Sequence, residues 1–246
     1  MDVDLPRRRV QRVRHELRRR TLQVARVEPV GAGFVAVTFA GDELADFVSL
    51  SFDDHVKLLL DGPDGEPVRR DYTPRRFDAA RRELTIEFAL HGHGAASDWA
   101  RQAAAGQRVA IGGPRGSMIV AADHDWHLLA GDATALPAIH RRLDELPAGT
   151  RALVRVWVED ALDRRAFASA AALDVQWCDG VEPWLASLRA LDLPPGEGFA
   201  WAAGEAGAMR AAREILVGHH GLPREALRVS AYWKRGAADF HEPIED

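Results

Sequence analysis

The first half of the chain carries short runs in which apolar and polar residues alternate or apolar residues follow one another directly. Turns rich in Gly, Pro and Asp, such as DGPDGE at 61–66, separate these runs. Short strands at regular spacing with little helix between them are typical of small antiparallel barrels. The runs are TLQVARVEPV (21–30), GFVAVTFAG (33–41), DDHVKLLLDG (53–62), ELTIEFALH (83–91) and QRVAIGGP (107–114). The pattern also predicts one helix, over 97–105, with Ser97 as its N-cap.

The pattern changes near AADHD at 121–125, after which strand-like and helix-like segments alternate. This alternation predicts a parallel sheet with right-handed helical crossovers. The predicted strands are 126–131, 151–160, 174–179, 198–204 and 228–233, and the predicted helices are 133–146, 182–191 and 207–221. We therefore divide the chain into a basic N-terminal arm (1–20), a β-barrel domain (21–123) and an α/β domain (124–246).

Charge and cysteine content narrow the class of protein. The chain has 246 residues and a net charge of −5, yet residues 1–20 hold eight arginines against three acidic residues. We interpret this arm as solvated and helical or frayed, and we expect no nucleic-acid partner because no nucleic-acid-binding motif follows it. A single cysteine excludes an intrachain disulfide. With no apolar stretch of about 20 residues and no secretory signal, we expect a cytoplasmic monomer that does not insert into membranes.

The segment RRDYTPRRFD at 69–78 combines a cation, an aromatic ring and a hydroxyl within four residues. Alternate side chains of a strand share a face, so Arg70 and Tyr72 are predicted to point the same way. Thr73 adds a hydroxyl, and Pro74 ends the regular pairing. These groups suit a flavin dinucleotide, which offers a pyrophosphate, a flat ring and a ring nitrogen, N5. The alternative is an ordinary edge strand with a surface ion pair.

The segment HGHGAASDWA at 91–100 precedes the predicted helix of the barrel domain. Its glycines allow close approach of the backbone to a ligand, and a helix N-terminus offers N–H groups to a phosphate. It lacks the acidic residue of a dinucleotide-binding fingerprint, so we interpret it as a pyrophosphate-binding loop within the barrel domain. His91 and His93 have no third ligand at a usual spacing, and we predict no metal site.

Two similar turns follow predicted strands of the α/β domain. In LLAGDATALPAI (128–139) the strand leads into Asp132 and Thr134, and in WAAGEAGAM (201–209) it leads into Gly204 and Glu205. Ligands of open α/β sheets bind at the carboxyl ends of the strands. Two such turns facing one crevice would suit a nicotinamide nucleotide, and the alternative is a pair of plain strand–helix turns with acidic caps.

Lysine is rare in this chain: of 32 basic residues only Lys57 and Lys234 are lysines. A lysine kept in such a background indicates a place where a compact, flexible cation is useful, although chance is a competing explanation. Arg115 in GPRGS (113–117) and Arg235 beside Lys234 are further cations in short loops.

Together, and in this order, the motifs resemble the siderophore-interacting protein family of the ferredoxin-reductase-like superfamily. They are HVKLL (55–59), RDYTPRRFD (70–78), HGHGAASDWA, GPRGS, AGDATALPAI (130–139), WAAGE and YWKRG (232–236). The resemblance implies a six-stranded antiparallel FAD-binding barrel followed by a Rossmann-like NAD(P)-binding α/β domain. It also implies a reductase that passes electrons from NADPH, or NADH, through FAD to a ferric siderophore and so releases Fe(II).

The resemblance assigns Arg70 to the pyrophosphate, Tyr72 to stacking on the flavin ring and Thr73 to the neighbourhood of N5, so that Tyr72 and Thr73 are the catalytic candidates. The further cofactor-binding candidates are Arg75, His91, Gly94, Ala96, Ser97, Asp132, Thr134, Gly204 and Glu205. Since many ferric chelates are anionic, the substrate-binding candidates are the cations Lys57, Arg115, Lys234 and Arg235. The chain departs from the family pattern at Ala95, where proline is usual, and at Ala133, where glutamate is usual, which weakens the nucleotide-site assignment.

Two other functions are compatible with these motifs. The first is a flavin reductase with another acceptor, either free flavin or a protein partner. The second is a siderophore- or flavin-binding module that does not turn over.

Overall fold

The structure is a computed structural model that describes residues 9–62, 66–90 and 94–237. It contains an antiparallel sheet of seven strands, a parallel sheet of five strands and a two-stranded ribbon. The predicted His91 lies outside the described residues. Among the described residues, no helix is both long and apolar enough to cross a lipid bilayer.

The antiparallel sheet forms the barrel domain, and its strands are ordered β5-β4-β8-β2-β3-β7-β6. Side chains that alternate along these strands fill the barrel with apolar residues, among them the fully buried Leu22, Phe39 and Leu58. The strands are β2 (Arg19–Val30), β3 (Phe34–Ala40), β4 (Val56–Asp61), β5 (Pro67–Tyr72), β6 (Pro74–Asp78), β7 (Glu83–Ala89) and β8 (Arg108–Gly112).

The two edges of this sheet, β5 and β6, are consecutive in the chain and joined only by Thr73. One bent segment therefore pairs with β4 at one edge and with β7 at the other, which brings the edges together. If β5 and β6 are counted as one strand, the sheet has the six strands that the resemblance implies. The bend occurs where Pro74, which has no N–H to donate, interrupts the ladder.

Helix α1 (Ala95–Arg101) is the helix of the barrel domain, and it differs from the prediction in both its bounds and its cap. It begins two residues earlier and ends four residues earlier, and its N-cap is Gly94, which provides no side-chain cap. Ser97 is instead inside the helix, where its hydroxyl donates a hydrogen bond to the carbonyl oxygen of Ala89 at 3.3 Å.

The parallel sheet has the order β12-β11-β10-β13-β14, so the predicted α/β architecture is confirmed. The chain runs outward from β10 to β12 and then returns to the other side of β10, which makes the β10–β13 boundary the topological switch point. The elements are β10 (Trp126–Gly131), α2 (Leu136–Glu145), β11 (Arg151–Trp157), β12 (Ala172–Cys178), α3 (Val181–Arg189), β13 (Gly198–Glu205), α4 (Ala206–Glu214) and β14 (Leu227–Trp233).

The described part of the N-terminal arm, from residue 9 onward, is not the solvated helix or frayed segment that its charge suggested. Strand β1 (Val10–Arg14) pairs antiparallel with β9 (Gly116–Val120), and neither strand was predicted. A Cβ atom at Gly116 would lie 2.6 Å from the carbonyl oxygen of Val13, so this pairing requires a glycine. Backbone pairing thus holds residues 10–14 despite their polar composition.

The loop before β4 joins the two domains. Phe52 of this loop is buried, and its ring centroid lies 5.4 Å from that of Trp201 in β13. The guanidinium of Arg142 in α2 lies 5.0 Å from the Phe52 ring centroid. The apolar core of the α/β domain therefore includes a side chain of the barrel domain.

Candidate active site between the barrel and the parallel sheet

Arg70 and Tyr72 share one face of β5, as the two-residue period of a strand requires. On this face Arg70 lies opposite Leu58 of β4, and Tyr72 lies opposite Val56. The Tyr72 ring centroid is 4.4 Å from that of Phe88, at an interplanar angle of 45°. Tyr72 is only half-buried, so part of the ring remains accessible beside the barrel. Burial raises the pKa of Tyr72 to about 12, and its phenol is therefore neutral at physiological pH.

Thr73 is buried at the bend between β5 and β6, where regular pairing stops. Next to it, the carbonyl oxygen of Pro74 accepts a hydrogen bond of 2.9 Å from Arg141 of α2. The bend of the barrel thus lies directly against α2 of the α/β domain.

The start of α1 offers backbone donors to a ligand. No side chain caps this helix, and a Cβ atom at Gly94 would meet nothing within 4 Å. Ala96 and Ser97 are both buried, so the N–H groups of this turn, and not their side chains, are what a phosphate could bind. Backbone donors of this kind fit the pyrophosphate of FAD.

The two turns of the α/β domain meet, as predicted, at the carboxyl ends of β10 and β13. The Asp132 carboxylate accepts hydrogen bonds of 2.8 Å from the backbone N–H of Thr134 and of Glu205, and a further bond from the Thr134 hydroxyl. A Cβ atom at Gly204, where φ is +153°, would lie 2.5 Å from Asp132 Oδ2. Burial raises the pKa of the Asp132 carboxyl, because these donors only partly offset its loss of hydration.

Glu205 is the N-cap of α4, and its carboxylate accepts hydrogen bonds from the N–H groups of Gly207 at 2.6 Å and Ala208 at 3.0 Å. Partial burial raises the pKa of this carboxyl, but the backbone donors outweigh burial and the net shift is downward. Both acidic side chains are therefore occupied within their turns. Thr134 and Gly204 stay predicted contacts of a nucleotide at this edge of the sheet.

Three residues of this site were missed as functional residues by the sequence analysis: Asp53, Arg228 and Tyr232. The Tyr232 hydroxyl donates to Asp53 Oδ1 at 3.1 Å, and Arg228 forms an ion pair with Asp53 Oδ2. Asp53 and Tyr232 are 179 residues apart, so no local pattern could have paired them. Burial and the neighbouring Asp53 carboxylate raise the pKa of Tyr232 well above its usual value.

The predicted substrate-binding cations lie around this region but do not form one cluster in the structure. Lys57 Nζ pairs with both carboxylate oxygens of Asp71, at 2.9 and 3.0 Å, on the face of the β4–β5 pair opposite to Tyr72. Arg115 is exposed in the turn that leads from β8 to β9. Lys234 and Arg235 are exposed just after β14, next to Glu205.

Arg75 does not face an open site. Its guanidinium pairs with Asp144 of α2 at 2.9 Å and with Glu87 at 3.5 Å, and Arg165 pairs with the other oxygen of Glu87. These side chains form a largely buried ion-pair network between the two domains. Arg75 stays a predicted cofactor contact, but its charge is already neutralised by protein groups.

A metal centre has no support in the part of the chain that the structure describes. Nowhere in it do three or more histidine, cysteine, aspartate or glutamate side chains converge so that they could hold a metal ion.

An antiparallel barrel docked on a parallel sheet at its switch point is the fold of ferredoxin-reductase-like FAD- and NAD-binding proteins. The family models agree with this fold. Residues 23–66 and 61–118 match the siderophore-interacting FAD-binding domain, and residues 124–236 match the siderophore-interacting protein model.

Known proteins with high similarity include two reductases and one solved structure. The NADPH-dependent ferric-chelate reductase of Escherichia coli is 33% identical over 91% of this chain and 96% of its own. The ferric vibriobactin reductase ViuB of Vibrio cholerae is 29% identical over 91% of this chain and 93% of its own. The siderophore utilization protein of T. fusca superposes with a TM-score of 0.88 at 31% identity, over 94% and 98% of the two chains. This chain belongs to the siderophore-interacting protein family.

Proposed function

We propose that this protein is an FAD-dependent ferric-siderophore reductase that takes electrons from NADPH and releases iron as Fe(II). The observation that carries the proposal is the packing of the barrel on the α/β domain. Arg141 of α2 donates a hydrogen bond of 2.9 Å to the carbonyl oxygen of Pro74, and Tyr232 of β14 donates one of 3.1 Å to Asp53 of the barrel domain. These contacts hold the bend of the flavin-binding strand close to the nucleotide-binding sheet. A flavin ring on Tyr72 and a nicotinamide in the crevice at Gly204 would then be neighbours.

The residues present fit FAD. Arg70 and the N–H groups at Gly94–Ser97 would hold the pyrophosphate, and Tyr72 would support one face of the ring. Its neutral phenol and half-buried position exclude water from that face without adding charge. When bound, FAD accepts a hydride from a nicotinamide and releases electrons one at a time, which matches a two-electron donor to a one-electron acceptor.

The crevice at the switch point would hold NADPH. Asp132 and Glu205 hold the two turns in place through backbone hydrogen bonds, and Thr134 and Gly204 would contact the nucleotide. Alanine at position 133 contributes no polar group, so binding there rests on the turn backbone and on Thr134. Asp132 and Glu205 would therefore position the turns and would not bind the nucleotide directly.

The substrate class we propose is an anionic ferric siderophore. Because the chain has a net charge of −5, an anionic chelate needs a local positive field, which Lys57, Arg115, Lys234 and Arg235 would supply. The names of the relatives from E. coli and V. cholerae point to ferric chelates as substrates of those proteins. Ferric iron is held strongly by oxygen chelators and ferrous iron much less, so reduction alone releases it. No protein ligand for iron is required.

We further propose that the protein acts as a monomer in the cytoplasm, where NADPH is available. The division at about residue 123 then separates an FAD-binding unit from an NADPH-binding unit. Each unit has its own sheet, and the linkage through Phe52 and Tyr232 keeps their active edges together.

An anaerobic titration tests the proposed function. The purified protein, loaded with FAD, is expected to lose its flavin absorbance on addition of NADPH and to regain it when a ferric siderophore is added. Formation of Fe(II) is followed with a ferrous-specific chelator. Bleaching without reoxidation by any ferric chelate would point to another acceptor, and a flavin that NADPH does not reduce would point to a binding module.

A further inference from the structure

Each domain has a buried aspartate that reaches into the other domain. Asp53, in the loop before β4, accepts a hydrogen bond of 3.1 Å from the phenol of Tyr232 and forms an ion pair with Arg228, both in β14. Asp163, in the loop after β11, accepts the backbone N–H groups of residues 32 and 33 at 2.9 and 2.7 Å, in the turn between β2 and β3. Only 8% of Asp53 and 7% of Asp163 is exposed. The two contacts lie on opposite sides of the switch point between β10 and β13.

On the barrel side, Asp53 is close to the proposed support of the flavin ring. It lies three residues before Val56, the first residue of β4, and Val56 is paired with Tyr72 of β5. Phe52, the residue before Asp53, is buried against Trp201 of β13, so this loop is closely packed. A displacement of Asp53 would therefore be passed on to the strand that pairs with Tyr72.

On the side of the α/β domain, Tyr232 lies next to a residue that holds the proposed nucleotide site. It is the extra residue of a bulge in β14, since its two neighbours pair with consecutive residues of β13. Bulges redirect side chains. Here the phenol contacts Asp53, while the indole of Trp233, the next residue, donates to Asp132 at 2.8 Å. Asp132 also accepts N–H groups from the turns after β10 and β13, so the bulge joins the barrel loop to both turns.

We propose that Asp53 is a positioning residue for hydride transfer, which sets the nicotinamide site against the flavin site through Tyr232 and Arg228. The inference rests on the proposed function, in which the flavin lies on Tyr72 and NADPH binds at the turns. In hydride transfer both electrons and the hydrogen pass together from the nicotinamide to the flavin, and a misplacement of about 1 Å can lower such a rate about 100-fold. Asp163 lacks this role, because it holds the turn between β2 and β3, and neither strand pairs with β5.

The kinetic test compares D53A with D163A, which each remove one buried aspartate that joins the domains. Both variants are expected to be less stable in urea. At saturating NADPH we expect D53A to reduce its FAD about tenfold more slowly, with a half-saturation for NADPH within about twofold of the wild type, whereas D163A keeps the wild-type rate within about twofold. Anaerobic stopped flow measures the rate as loss of flavin absorbance.

Y232F is a milder variant that keeps the ion pair of Asp53 with Arg228 and removes only the phenol hydrogen bond. We expect a several-fold slower reduction of FAD in Y232F. Because Tyr232 acts through Asp53, adding Y232F to D53A should produce no further decrease.

A second measurement requires neither FAD nor turnover. The indole N–H of Trp233 is hydrogen-bonded to Asp132, so its exchange with solvent, followed by NMR on the full chain, reports on the turn side of the link. We expect several-fold faster exchange in D53A and Y232F and no change in D163A. W233F identifies the resonance by its absence.

The role of Asp53 would be overturned by a wild-type rate of FAD reduction in Y232F, by an equal decrease in D163A and D53A, or by unchanged exchange of the Trp233 indole. If D53A does not fold, Y232F and D163A still decide the question. Wild-type protein whose FAD is reduced by NADPH but which reduces no ferric chelate would overturn the proposed function alone, because this test contains no iron. Wild-type protein that binds no FAD would overturn both.

Discussion

The indole Nε1 of Trp233 donates a hydrogen bond of 2.8 Å to Oδ2 of Asp132, although the two residues are 101 positions apart. The same carboxylate oxygen accepts the N–H of Glu205. One buried acidic side chain therefore joins the ends of three adjacent strands, β10, β13 and β14. Because Tyr232 precedes Trp233 and donates to Asp53, the two aromatic side chains connect the loop before β4 to the turns after β10 and β13.

Replacing Asp132 by asparagine is expected to lower stability and weaken NADPH binding. The asparagine amide has only one oxygen, so it cannot accept hydrogen bonds from all the donors that surround Asp132. Its NH2 group would face one of these donors. We expect a loss of about 1–3 kcal/mol in the free energy of unfolding and a higher half-saturation for NADPH. Urea unfolding and steady-state kinetics measure the two effects.

D160N is the matched control for this variant. Asp160 also accepts a backbone N–H, that of Leu162 at 2.8 Å, but at an exposed turn where asparagine is an equally good cap. It should change stability by no more than a few tenths of a kcal/mol. Equal stability changes in D132N and D160N would contradict the joining role of Asp132.

Replacing Glu87 by glutamine is expected to destabilise the contact between the domains. Glu87 is buried and pairs with both Arg75 and Arg165, so a neutral side chain leaves two cations without their carboxylate. Breaking a buried pair typically costs about 3–5 kcal/mol, and we expect an effect near the lower end because Arg75 keeps its pair with Asp144.

The comparison for Glu87 is E83Q, which removes an ion pair with the more exposed Arg26 and should cost less than about 1 kcal/mol. Urea unfolding of both variants gives the difference. A cost for E87Q that is no larger than that for E83Q would show that the network contributes little.

Stability should decrease as the pH falls below about 6.5. Burial lowers the pKa of His127 to about 3 and also lowers the pKa of the neighbouring His124, with Arg142 and Arg9 acting in the same direction. Above pH 6.5 these two histidines are neutral in both the folded and the unfolded protein. Below pH 6.5 they become protonated in the unfolded chain but stay neutral in the folded protein. Each histidine therefore lowers the free energy of unfolding by up to about 1.4 kcal/mol per pH unit.

The measurement is the free energy of unfolding between pH 5 and 7.5. A variant with both His124 and His127 replaced by glutamine is expected to be less stable at pH 7.5 but to show a weaker dependence on pH. The interpretation would be wrong if the wild type and the double variant had the same slope.

Replacing Lys57 by alanine is expected to weaken reduction of an anionic ferric chelate without loss of FAD. Lys57 lies on the outer face of the β4–β5 pair, where it pairs with Asp71, so under the proposed function it would act on the chelate through its charge and not through flavin contacts. We expect a several-fold higher half-saturation for the chelate, with a normal rate of flavin reduction by NADPH. K57R, which keeps the charge, should be close to the wild type, and a normal half-saturation in K57A would remove Lys57 from the substrate site.

The order of strands and helices along the chain could be predicted from the sequence, because each element depends mainly on residues that are close together in the chain. Alternation of apolar positions and turn residues predicted all six strands of the barrel sheet, when β5 and β6 are counted as the one strand-like segment 69–78, together with every strand of the parallel sheet. The same alternation placed Arg70 and Tyr72 on one face. Strands β1 and β9 were missed because their pairing holds a polar, arginine-rich segment through its backbone, which leaves little apolar signal.

The residues that complete the site depend on contacts that no local pattern encodes. Asp53, Arg228 and Tyr232 come from a loop and a strand far apart in the chain, and a bulge directs the tyrosine. Arg75 stays a predicted cofactor contact, but its ion pairs with Asp144 and Glu87 could not be read from the sequence.

The amino-acid sequence by itself determined the strands of the two sheets, the end of regular pairing at Pro74 and the acidic turns after β10 and β13, because each follows from backbone preferences and short-range alternation. Only the tertiary structure decided which cations are already paired and which hydroxyl meets which acceptor. Those choices depend on how the barrel packs on the parallel sheet, where the burial of Phe52 brings the Asp53 loop against β14.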